Sequence, residues 1–157
     1  MRKLFSNGLA LFAGVVSTPV ATISLELRHL PGELRQDPRL DRLRRFFRKA
    51  APKLESYSAT FIAASEENCL DWTLLPSLTI IESGGNGNRN NNLLGWNNGK
   101  TPFLSVAHGI QSVGRRLAIS PIYRNKNIDQ ILASYNTDPN YAVAVKRVMR
   151  RMRAYGK

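Results

Sequence analysis

A mainly α-helical domain with little or no β-sheet is the fold class this sequence predicts, and three observations predict it. Apolar residues recur at three- and four-residue spacing through most of the chain after residue 37. No run alternates apolar and polar residues with a period of two. Prolines, glycines and capping side chains punctuate the periodic runs where helices would start and stop. The 157 residues are 43% hydrophobic and 22% charged, which suits one domain with a core and argues against wholesale disorder.

The first residues stand apart. Arg2 and Lys3 precede an uncharged stretch, residues 4–25, with an apolar middle from Leu9 to Val16. Residues 1–27 therefore read as an export signal or a membrane anchor, with Gly8, Gly14 and Pro19 weighing against a stable spanning helix. The only membrane contact expected is through this segment, and the domain itself is expected outside the cytoplasm, in periplasm, wall or medium. Residues 28–37 hold linker chemistry, and residues 38–157 form the expected domain.

Each element of that domain has its own signature. "RLDRLRRFFRKA" places Leu40, Leu43, Phe46 and Phe47 on one helical face, and Pro52 ends the run. Leu54, Tyr57, Phe61 and Ile62 mark a second amphipathic helix, and Asp71 is placed to cap a third. That third helix, "WTLLPSLTIIES", is apolar almost all round, as expected of a helix in the middle of a domain; Pro76 falls near its first turn, and Gly84 and Gly85 stop it. A long loop rich in Asn and Gly follows, Gly84 to Lys100, and loops of that length in a small domain are commonly functional. Ser105 can cap "VAHGIQSVGRRLA", with Val106, Ile110, Val113 and Leu117 inward. "SPIYRNK" turns the chain, and Asn127 caps a short helix with Ile128, Ile131 and Leu132. Asp138 and Pro139 open the last helix, with Tyr141, Val145, Val148, Met149 and Met152 facing inward.

Within this pattern Glu82 stands out. A carboxyl group that donates a proton at neutral pH must resist ionisation, and apolar neighbours (Leu78, Ile80, Ile81) and the carbonyl end of a helix both act that way. Taken alone, a glutamate near a helix end is ordinarily a solvated surface group. The amides and Trp96 of the following loop add to it, because amides pair with sugar hydroxyl and acetamido groups and an indole face packs on a pyranose ring. By composition alone, a solvated loop and a core tryptophan remain the simpler readings.

Charge and cysteine content narrow the partners. The 23 Lys and Arg against 11 Asp and Glu give a net charge of +12, which favours anionic partners. Cys69, the sole cysteine, excludes an intramolecular disulfide and a cysteine metal cluster, and reads as a small core residue. His29 and His108 lack ligand spacing, so no metal site and no cofactor are expected.

The segment "NCLDWTLLPSLTIIESGG" resembles the catalytic helix of bacterial cell-wall glycosidases with the lysozyme-like fold. "NNLLGWNNG" is similar to the N-x-F-G segment of the endo-β-N-acetylglucosaminidase branch, and "ILASYNTDPNYAVAVKRVM" to the A-x-Y-N-x-G-P-x-Y segment of the lytic transglycosylase branch. The likeness covers about residues 38 to 153 in the expected order. It implies a lysozyme-like helical domain with a Gly/Asn-rich active-site loop, acting on peptidoglycan between N-acetylglucosamine and N-acetylmuramic acid. It implies Glu82 as general acid, Ser83 supporting loop or carboxylate, and Asn92, Gly95 and Trp96 forming one wall of the sugar groove. Tyr135 would hydrogen-bond near Glu82, Asn136 would help hold the helix that carries it, and Tyr141 would serve packing. The G-L-M-Q segment of the transglycosylases is replaced by "LLGWNNGK", and "YNTDPN" carries Thr-Asp where they have small residues. These departures favour the glucosaminidase-like branch and leave open a lytic transglycosylase forming 1,6-anhydro ends.

The supply of carboxylates is thin for a two-acid glycosidase. After Glu82 the chain holds only Asp129 and Asp138. Asp129 is placed to stabilise a helix start; Asp138, beside Tyr135 and Asn136, is the better candidate for a second carboxylate, though capping the last helix is the simpler reading. Glu66, Glu67 and Asp71 read as surface or cap groups. A single-glutamate mechanism is therefore expected, with the substrate's 2-acetamido group stabilising the developing cation. The competing reading is a non-catalytic basic domain that binds glycan or nucleic acid through "RLDRLRRFFRK" and "KRVMRRMRAYGK". The export-like start and the scarcity of cations in the loop argue against nucleic acid. Peptidoglycan strands are the expected partner, anionic wall polymers a further one, and the chain is expected to be a monomer.

Overall fold

A computed structural model describes residues 37–86 and 89–156. The expected export segment, most of the linker with His29, and Gly87 and Asn88 of the Asn/Gly tract lie outside the described residues. Helices supply all the regular structure among the described residues: α1 (Pro38–Ala50), α2 (Ser58–Glu67), α3 (Leu74–Ser83), α4 (Val106–Ile119), α5 (Ile128–Tyr135) and α6 (Pro139–Ala154), with 3-10 turns at Pro52–Tyr57 and Arg89–Asn91. None of these helices is long and apolar enough to cross a membrane.

The helix boundaries follow from local chemistry. Asp37 caps α1 by accepting the Arg39 amide at 2.7 Å, with Pro38 supplying the first helical position. Ser105 caps α4 through the His108 amide, and Asn127 and Gln130 form a reciprocal capping box on α5. Asp138 caps α6 ahead of Pro139. At the end of α3, Gly84 takes the left-handed conformation (φ 60°) and its amide closes on the Ile80 carbonyl, which stops the helix cleanly.

The structure differs from the sequence reading at three places. The expected second helix is split, because Pro52 opens a 3-10 turn that runs to Tyr57 before α2 begins. Asp71 does not cap α3; its carboxylate accepts the Thr73 amide at 2.9 Å one turn ahead of the helix and pairs with Arg153 of α6. Cys69 is exposed rather than buried, on the turn between α2 and α3, where a positive φ of 51° turns the backbone outward.

The core is assembled around α3. Leu74, Leu75 and Leu78 are excluded from water, and α3 packs against α2 on one side and α6 on another. Leu43, Phe46 and Phe47 of α1 and Ile110, Val113 and Leu117 of α4 close over the same core. Each such side chain contributes about 1.5–3 kcal/mol through burial, so this layer holds the body together. The face of α1 joins that of α6 through Arg42, whose guanidinium donates to the Arg153 carbonyl at 2.9 Å, and through Arg151, which lies over the Phe46 ring at 5.9 Å. Burial along α3 ends at Thr79: Ile80 and Ile81 are half-buried and Glu82 is exposed. A rigid buried rod therefore delivers one carboxylate to the surface.

Candidate active site

Glu82 stands at the floor of an open cleft of about 1090 Å³, between the end of α3, the Asn/Gly loop, α4 and the end of α5. Its carboxylate is clamped from two sides. Oε1 accepts the hydroxyl of Tyr141, from the first turn of α6, at 2.6 Å. Oε2 faces the backbone of Gly95, so close that a Cβ built there would come within 2.3 Å of it. Gly95 also has φ of 66°, so both its conformation and its missing side chain are required at this spot. Glu82 is the only acid among the described residues that line the cleft. Asp129 is paired with Lys146 at 2.6 Å, and Asp138 accepts the Asn140 amide of α6 at 2.9 Å.

The loop owes its shape to its asparagines in a way that composition does not reveal. Asn90, Asn91, Asn97 and Asn98 all have positive φ, between 53° and 60°, a region that Asn tolerates far better than most residues. Asn91 donates its amide to the Phe103 carbonyl at 2.9 Å. Asn92 is buried, and its side chain makes three bonds at 2.9 Å, donating to the Trp96 and Thr101 carbonyls and accepting the Trp96 amide. Leu93 and Leu94 turn inward and pin the loop to the core.

Tyr135 reaches this loop rather than Glu82 directly: its hydroxyl donates to the Leu94 carbonyl, and its ring stacks on Tyr141 with centroids 6.1 Å apart. Both phenols are held protonated. Burial pushes the Tyr135 hydroxyl well above its ordinary range, with the Glu82 charge adding to it. For Tyr141, burial again leads, followed by its hydrogen bond to Glu82 and the carboxylate's charge. The carboxylate thus has a neutral, proton-bearing donor fixed on one oxygen.

Of the residues singled out from the sequence, Glu82, Ser83, Asn92, Gly95, Trp96, Tyr135 and Asn136 all line the cleft. Ser83 supports the loop end of the helix, donating to the Thr79 carbonyl at 2.9 Å and accepting the Gly85 amide at 3.3 Å. Asn136 ends α5 and accepts the Asp138 amide at 2.9 Å, which sets the turn into α6. Trp96 is half-buried among Tyr123 and Tyr135, each with its centroid 6.0 Å away, and the Arg116 guanidinium lies over the indole at 5.3 Å.

Three participants escaped the sequence reading. Tyr141, for which the resemblance implies packing, does pack, yet its hydroxyl is also the group that touches Glu82. Tyr123 sits in what reads as a plain turn, and Arg116 on what reads as a solvated helix face, so neither carries a local signal. The structure corrects one further expectation: the apolar neighbours of Glu82 do not enclose it, because the chain surfaces from the core before reaching it. Among the described residues no three His, Cys, Asp or Glu side chains converge in a way that could hold a metal ion.

Comparison with protein-family models, with curated proteins and with solved structures returned no match for this chain.

Proposed function

We propose that this chain cleaves peptidoglycan glycan strands, with Glu82 as a single general acid in a lysozyme-like helical domain that acts outside the cytoplasm. The observation that carries this reading is the clamped carboxylate: one acid in a sugar-sized cleft, with Oε1 tied to Tyr141 and Oε2 presented beside Gly95. The likeness of "TIIESGG", "NNLLGW" and "ASYNTDPNY" to the cell-wall glycosidases supports the same assignment.

In the proposed reaction Oε2 gives its proton to the glycosidic oxygen as the bond from C1 to that oxygen breaks. The carbonyl oxygen of the sugar's 2-acetamido group closes on C1 and takes up the developing positive charge, the part that a second carboxylate plays in two-acid enzymes. Glu82, now ionised and still held by Tyr141, then accepts the proton of the attacking hydroxyl. If water attacks, the product is a reducing sugar; if the sugar's own 6-hydroxyl attacks, it is a 1,6-anhydro sugar.

The test is digestion of purified peptidoglycan by wild type and Glu82→Gln, with released ends identified by mass spectrometry. Wild type is expected to release muropeptides, and Glu82→Gln to do so about two to four orders of magnitude more slowly. Reducing N-acetylglucosamine ends would mark the glucosaminidase branch, and anhydro ends the transglycosylase branch. No release by wild type, or equal release by the variant, would sink the proposal.

A further inference from the structure

The cleft holds two cations that a neutral sugar does not call for. Lys100 and Arg116 both line it, and neither lies within ion-pair distance of a carboxylate among the described residues. Elsewhere on the surface Arg39, Arg48, Lys146 and Arg153 each hold an acid. Arg116 is also placed with care. It projects from the last turn of α4 and lies over the Trp96 indole at 5.3 Å. The indole is itself wedged against Tyr123 and Tyr135.

That arrangement has two effects. The indole platform restrains a long side chain that would otherwise sweep through solvent, which lowers the entropy lost when a ligand is bound. It also occupies one face of the guanidinium and leaves the in-plane N–H donors free, and Arg116 makes no side-chain hydrogen bond to a described residue. A flat guanidinium presenting its edge is matched to a carboxylate, which it can take with two parallel bonds. Trp96, expected to offer its face to a sugar, gives part of that face to Arg116 instead.

We infer that Arg116, stacked on Trp96 and assisted by Lys100, recognises a carboxylate carried by the glycan, so that the cleft selects a sugar polymer with acid-bearing substituents over a neutral one. This rests on the glycan-cleaving reading above and names its substrate class. In peptidoglycan the group of that chemistry is the lactyl carboxylate of a muramyl sugar that carries no peptide. Arg116 is a specificity residue and takes no part in bond breaking.

The test uses the full chain with Glu82→Gln, which keeps the cleft while slowing turnover to a level that leaves the ligand intact during the titration. Binding is measured by calorimetry to a soluble N-acetylglucosamine–N-acetylmuramic acid tetrasaccharide with free lactyl carboxylates, and to the same compound with those carboxylates methyl-esterified. The acid is expected to bind about ten- to a hundredfold more tightly than the ester at low salt, with the margin shrinking as salt rises. Adding Arg116→Gln should cut that ratio to within about threefold of one, and Arg116→Lys should give an intermediate ratio. Equal binding of acid and ester overturns the inference without any substitution at Arg116, and so does a ratio that Arg116→Gln leaves unchanged. Binding of neither compound removes this inference and the glycan reading together. A clear preference for the acid, in a chain whose wild type releases no muropeptides, leaves the inference standing and removes only the cleavage.

Discussion

Within α3 the side chains of Leu74, Leu75 and Leu78 are shut away from water, while beyond its end the chain enters a loop in which Asn90, Asn91, Asn97 and Asn98 sit at positive φ. The helical body is held by area removed from water, spread over many residues. The loop is held by a few specific hydrogen bonds and by residues that accept an unusual backbone. A body of the first kind tolerates similar apolar exchanges, because volume and pattern carry it. A loop of the second kind has few interchangeable parts, and Gly95 and Asn92 are the clearest examples. The carboxylate lies at the seam, placed by the body and clamped by residues that the loop and α6 bring to it.

The contrast can be broken or sharpened by substitution. Leu78→Ala should have the largest effect on stability, about 2–5 kcal/mol by urea unfolding, since it opens a cavity in the middle of the core. A loss below about 1 kcal/mol would mean that α3 is not the central rod described above. Asn92→Ala comes next, at about 2 kcal/mol, because it removes three hydrogen bonds and strands the Trp96 amide and two carbonyls. Its effect on glycan cleavage should exceed what that modest loss of stability accounts for; an unchanged rate would show that the loop's shape does not matter. Gly95→Ala should cost only about 1 kcal/mol of stability from its positive φ, yet lower turnover about a hundredfold by pushing Oε2 out of place.

Tyr141→Phe should be the mildest at neutral pH, under about 1 kcal/mol, and its signature lies in alkali. The folded chain raises the phenol pKa of Tyr141, Tyr135 and Tyr123 above their unfolded values, in each case first through burial. Such groups add stability that is fully present below their unfolded pKa, near about pH 10, and is lost as pH rises beyond it toward the folded values. Wild type should therefore weaken steeply above about pH 10, and Tyr141→Phe less steeply, as urea midpoints at pH 7 and pH 11 would show. Parallel slopes for the two proteins would contradict the burial of that hydroxyl.

The body was legible because burial writes a period into the chain. Leu40, Leu43, Phe46 and Phe47 share a face of α1, and Val145, Val148, Met149 and Met152 share one of α6, each set at helical spacing and each buried as that spacing requires. The caps at Ser105, Asn127 and Asp138 were legible for a similar reason, since one side chain and one nearby amide decide them. The cleft was legible in part. Glu82, Gly95 and Trp96 could be named, but the roles of Tyr135 and Tyr141 depend on how α5 and α6 cross the end of α3, which no local pattern encodes. The asparagines were legible as a loop and not as backbone chemistry, because composition does not report φ. Cys69 went astray for the same reason: a small residue type suggested the core, and a positive φ put it on a turn.

The hydrogen bond between Tyr141 and Glu82 joins positions 59 residues apart, and that between Tyr135 and the Leu94 carbonyl spans 41. The site is therefore assembled from segments far apart along the chain. The segments from α1 to α4 bring Glu82, Gly95 and Trp96 to the cleft, and the hydroxyl that holds Oε1 comes only with Tyr141 in α6. For the glycan cleavage proposed above, the carboxylate and the hydroxyl that fixes it are thus supplied by two different helices, so the chemistry would depend on the docking of α6 against α3 as much as on Glu82 itself.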